Sequence, residues 1–109
     1  MTPTIGRIVL YKLNAADADA INRRRSDFRV YTVNNTRGEA GQPGATGHVG
    51  HVGNEVAVGD VYPAVVVRVF DPSTTTANLQ VLLDGADTYW ATSRQEAPGE
   101  GSWTWPARV

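Results

Sequence analysis

Apolar and polar positions alternate most clearly in the second half of the chain. Residues 61–70, Val-Tyr-Pro-Ala-Val-Val-Val-Arg-Val-Phe, have the β-branched and aromatic make-up of a strand. Pro63 must lie near its start or on an edge, because proline donates nothing to a ladder. Asp71-Pro72-Ser73-Thr74-Thr75-Thr76 follows as a loop. Over 78–83 the period of two puts Leu79, Val81 and Leu83 on one face, and 88–93 return as the partner strand. The Asp84-Gly85 step between them carries the positive-φ chemistry of a tight hairpin. A three-stranded meander is predicted. Ser102-Trp103-Thr104-Trp105 alternates once more and stops at Pro106.

The first half holds one more strand and one helix. Residues 5–13, Ile-Gly-Arg-Ile-Val-Leu-Tyr-Lys-Leu, read as a first strand. Asn14 can cap a helix with Asp17 in its first turn, near the positive end of the dipole, so a short helix is predicted over 14–25. Arg23-Arg24-Arg25 then forms its solvated C-terminus; a phosphate-binding patch is the sharper reading.

From Asn34 the periodicity stops, and Gly38, Gly41, Gly44, Gly47, Gly50 and Gly53 recur at every third place. Collagen packing needs that spacing, since only glycine fits at the axis of three chains. So short a run, with one proline, is marginal alone, so a flexible insertion over 34–58 is the simpler expectation and a trimeric plug the sharper one. His48 and His51 hold equivalent places in successive triplets, but two histidines fall short of the three or four ligands of a zinc site, and no metal is expected.

Five short strands with one helix-bearing insertion predict a mainly β, single domain over residues 1–109: a small five-stranded SH3-like half-open barrel, with the glycine-rich loop between strands 1 and 2. Closure protects the edges of so short a chain. An OB-like barrel is the alternative.

Composition narrows the chemistry. With 10 basic and 11 acidic residues the net charge is −1, so no global pull toward nucleic acid or an anionic membrane exists. The absence of cysteine excludes disulfides, thiolate metal sites and cysteine nucleophiles. The first residues lack a charged region followed by an apolar run, so no signal peptide is expected, and the longest apolar run is far below a membrane span. A catalytic triad would have to use His48 or His51, in a segment offering no rigid support. Asp84 and Asp87 read as turn residues, and the glycine triplets lack the lysine of a phosphate loop. No enzyme and no cofactor is expected.

Aromatic residues are the remaining candidate. Trp103 is expected in the core, as a domain of this size has little else as large to bury. Arg68, Tyr89, Trp90 and Trp105 are the candidate ligand- or partner-binding set, an aromatic cleft with a nearby guanidinium that could take a nucleobase or a partner side chain.

Gly6-Arg7-Ile8-Val9-Leu10-Tyr11, Gly59-Asp60-Val61-Tyr62-Pro63-Ala64, Leu83-Asp84-Gly85-Ala86-Asp87-Thr88-Tyr89-Trp90, and Pro98-Gly99 with Trp103-Thr104-Trp105-Pro106 together resemble small proteins encoded by phages and prophages of actinobacteria. The resemblance implies a viral origin and a compact β body, and no chemistry. It leads to the expectation of a phage accessory structural or binding module, such as a capsid-decorating or virion-associated protein, found in the virion or the host cytoplasm. Its partner would be a phage capsid or host protein, with a homotrimer as one form. The alternative is an inhibitor of host defence that sequesters a nucleotide signal in the aromatic cleft. Nucleic-acid binding through Arg23, Arg24 and Arg25 is the least favoured.

Overall fold

The structure, a computed structural model, describes residues 2–35 and 53–107, with the backbone alone for 28–35. Five strands and one helix follow in the order β1 (Ile8–Lys12), α1 (Ala15–Asn35), β2 (Val61–Val69), β3 (Ala77–Leu82), β4 (Thr88–Arg94) and β5 (Ser102–Thr104). The strands form one antiparallel sheet in the order β4-β3-β2-β1-β5. It curls into a half-barrel of the kind expected, consistent with a small SH3- or OB-like barrel.

The curl is drawn together by the segment after β4. Trp103 N–H donates to the Gln95 carbonyl and Ala97 N–H donates to the Trp103 carbonyl, each at 3.1 Å. This lays 95–97 along the outer edge of β5, so the two ends of the sheet approach each other. Two register shifts, one with its extra residue on β2 between Val66 and Arg68 and one with its extra residue on β4 between Ala91 and Arg94, add the local bend that closure needs. Inside lie Val9, Tyr11, Val66, Leu79, Val81 and Trp103, the alternate positions of their strands, as period two requires.

The hairpin from β3 to β4 differs from the expected tight turn. It spans the residues between Leu82 and Thr88, and Gly85 is not among the positive-φ residues. Gly85 instead forms an antiparallel bridge with Gly53. A Cβ on Gly53 would lie 2.6 Å from the Asp84 carbonyl oxygen and 2.7 Å from Gly85 Cα, so this contact admits only glycine.

The helix also differs from the expected 14–25. It continues to Asn35, because nothing from 15 to 35 is glycine or proline and the basic cluster is not a terminus. Arg23 pairs one turn back with Asp19 at 2.8 Å, while Arg24 and Arg25 reach across to Asp87. At the two ends of the expected flexible insertion over 34–58 the described residues are held in the fold. Residues 34 and 35 are helical, and Val56 is buried with its N–H and carbonyl both bonded to the Asn22 side-chain amide, at 2.8 and 2.7 Å. The Gly-X-Y run up to Gly50, with His48 and His51, lies outside the described residues.

Candidate functional site

The four side chains singled out in the sequence divide between the two faces of the sheet. Tyr89 turns inward on β4, and its hydroxyl donates to Asp17 at 2.8 Å. Trp90, the next residue, turns outward and is 61% exposed. Trp105 is half-buried beyond β5; its ring stands edge-on to Trp103, with centroids 5.2 Å apart, and the Arg7 guanidinium lies 5.2 Å from it. Arg68 is exposed on β2, its guanidinium 5.2 Å from the ring of Phe70. Arg68 and Trp90 thus share the outer face, whereas Tyr89 and Trp105 pack against the core. Trp103 is fully buried, as expected, and its indole N–H is shared between the Thr75 and Arg94 carbonyls at 3.1 and 3.2 Å.

Inside, a carboxylate that sequence reading assigned only to a helix end organises a polar centre. Asn14 and Asp17 cap α1 reciprocally: Asp17 N–H donates to Asn14 Oδ1 at 2.8 Å and Asn14 N–H donates to Asp17 Oδ2 at 3.1 Å. Asp17 also accepts the hydroxyls of Tyr11 and Tyr89, and Arg94 Nη2 at 3.0 Å. Burial, then the bond to Asp17 and its negative charge, push both phenols above the ordinary tyrosine range, while the Arg94 guanidinium acts in the opposite sense. Asp17 is sealed from solvent and every lone-pair direction is occupied, so this centre fastens the helix to the barrel rather than meeting a substrate.

A second clasp sits a few turns along the helix. Arg25, only 1% exposed, donates to Asp87 at 2.7 Å and to the Asn54 carbonyl at 3.4 Å. Arg24 reaches the same carboxylate at 3.5 Å and lies 5.8 Å from the Tyr89 ring. Asp87 is therefore an anchor for the helix and more than loop polarity. The phosphate-patch reading loses two of its three arginines to this anchor.

The outer face carries the more open chemistry. The register sets Ile8 opposite Val65, Val65 opposite Gln80 and Gln80 opposite Trp90, one row across four strands. In the next row Thr104, Leu10 and Pro63 are opposed in turn, with Leu82 opposite Thr88 on the far side. Ile8, Val61, Leu82 and Trp90 are all exposed. Among the described outward strand positions the charged side chains are Lys12 and Arg68, both cationic. Where β1 meets β5 the face deepens into a cavity of about 290 Å³ lined by Leu10, Lys12, Val61, Ala97, Pro98, Ser102 and Thr104. Lys12 Nζ donates to the Pro98 carbonyl at 3.2 Å across its rim.

Among the described residues no group of three or more histidine, cysteine or carboxylate side chains could hold a metal ion, and no helix is long and apolar enough to cross a membrane. Comparisons with protein-family models, curated proteins and solved structures return no match.

Proposed function

We propose that this chain is a non-enzymatic accessory module of a phage, virion-associated, that docks on a protein partner through the outer face of its sheet. The observation that carries the reading is the apolar character of this face: Ile8 lies beside Val65, and Ile8, Val61, Leu82 and Trp90 open to solvent, with the polar Gln80 set between Val65 and Trp90. Contiguous apolar area on a domain this small marks an interaction surface more often than chance exposure does. A large, exposed indole is also the side chain most often found at the energetic centre of protein interfaces. The sequence resemblance to phage-encoded proteins supplies the viral setting.

The nucleotide-sequestering alternative has less support. Its cleft needed Tyr89 and Trp105 beside Trp90 and Arg68, yet Tyr89 is bonded to Asp17 and Trp105 packs on Trp103. Co-sedimentation with purified virions of the phage that carries the gene tests the proposal. The wild-type chain should pellet with virions in a saturable manner and Trp90→Ser should not. Equal pelleting of both would remove the outer face from the account.

A further inference from the structure

The cavity beside Lys12 says what kind of partner the outer face fits. At about 290 Å³ it lies at the bottom of the size range of small-molecule sites, enough for one large side chain. Leu10, Val61, Ala97 and Pro98 give it apolar walls, with the hydroxyl residues Ser102 and Thr104 beside them. Lys12 stands at the rim, and its ammonium gives one of three donors to the Pro98 carbonyl. Two donors remain for an incoming acceptor.

Charge decides which occupant is favoured. The described outward strand positions carry Lys12 at one end and Arg68 toward the other, with no acidic side chain among those positions. A second copy would bring a face of the same sign, which disfavours self-association through it. An apolar partner surface without charge would leave the Lys12 ammonium partly desolvated and unpaired, which costs free energy. A carboxylate next to an apolar anchor side chain meets both requirements.

We infer that this cavity is an anchor site for a partner segment in which an aliphatic side chain enters between Leu10, Val61 and Pro98 while a neighbouring carboxylate pairs with Lys12 Nζ. The inference rests on the docking face proposed above and names the chemistry of what docks there. The cavity is continuous with that face, because Leu10 stands opposite Pro63 and Thr104 in the row beside that of Trp90.

The test uses three capped dipeptides, acetyl-Leu-Glu-amide, acetyl-Leu-Gln-amide and acetyl-Leu-Lys-amide, titrated into the full chain and followed by amide and methyl chemical shifts. The Glu peptide should give saturable shifts at Val61, Leu10 and Thr104. It should bind about two- to five-fold more tightly than the Gln peptide at low salt, the range that an exposed ion pair supports. The Lys peptide should bind most weakly. Lys12→Met should erase the preference for Glu while leaving the spectrum of the core unchanged. Val61→Trp, which fills the mouth, should abolish the shifts with all three. Equal affinity for the Glu and Gln peptides, shifts mapping away from the cavity, or no saturable shift would each overturn the inference. Trp90→Ser should leave these titrations unaltered, so failure here is separable from failure of virion binding.

Discussion

Tyr89 and Trp90, neighbours on β4, serve opposite sides of the sheet. The Tyr89 hydroxyl bonds the buried Asp17 at 2.8 Å, while the Trp90 indole is 61% exposed. One strand thus fixes the helix with one residue and exposes an indole to solvent with the next. Losses of stability and losses of binding should therefore separate along β4.

The tryptophans should show that separation first. Trp103→Ala empties a fully buried site and removes a doubly used indole donor, so it should cost about 3–5 kcal/mol. Trp90→Ser should change stability by less than about 0.5 kcal/mol, as surface substitutions usually do. Urea midpoints of the two variants check this, and iodide should quench Trp90 fluorescence in the Trp103→Ala background more readily than any indole left in Trp90→Ser.

Asp17→Asn leaves the helix cap nearly isosteric but strands the Arg94 guanidinium without its counter-charge. A loss of about 3–5 kcal/mol is expected, the usual cost of breaking a buried pair on one side. Thermal melts of Asp17→Asn and of the double variant with Arg94→Met form the check; the second substitution should recover part of the loss, because it removes the stranded charge.

The same centre sets an alkaline limit. Tyr11 and Tyr89 are held above their ordinary pKa in the folded chain, so folding favours their protonated form. That contribution is complete below the unfolded tyrosine pKa of about 10 and is lost as pH rises from there toward the folded values. Stability should fall above pH of about 10, and tyrosinate absorbance from these two residues should appear at higher pH in the folded chain than in the urea-unfolded one. Tyr11→Phe should flatten the decline in a pH series of denaturation curves.

Gly53→Ala tests the second clasp. The added methyl would sit 2.6 Å from the Asp84 carbonyl and 2.7 Å from Arg25 Nη2, so the Gly53–Gly85 bridge must open. Overpacking of this kind costs about 1–3 kcal/mol. Hydrogen exchange should show faster opening at Asn54, whose N–H donates to the Asp84 carbonyl at 3.0 Å, with the β1–β2 ladder unchanged.

These results separate what was legible in the sequence from what was not. The strands of the second half were readable because Leu79, Val81 and Leu83 recur at every second place, and period two is a local signal. The length of α1 was not, because the buried face of its described side chains is half polar. Asp17, Ala18, Ile21 and Arg25 line it, so charged residues interrupt its apolar positions and the arginines look like a solvated end. The partners that justify burying those charges, Arg94 and Asp87, lie 77 and 62 residues along the chain. Trp90 and Trp105 were singled out as aromatic, but which face each takes depends on register and on the closing contact at 95–97, both long-range properties. The cavity beside Lys12 needs that same closing segment and had no sequence signal.

The docking proposed for the outer sheet face on a virion protein is open to direct measurement. Oxidative footprinting of the chain, free and bound to purified virions, measures it most directly. Trp90 should be oxidised readily in the free chain and strongly protected in the bound one, while buried Trp103 stays unreactive in both. Bound chain in which Trp90 oxidises as fast as in solution would contradict the claim.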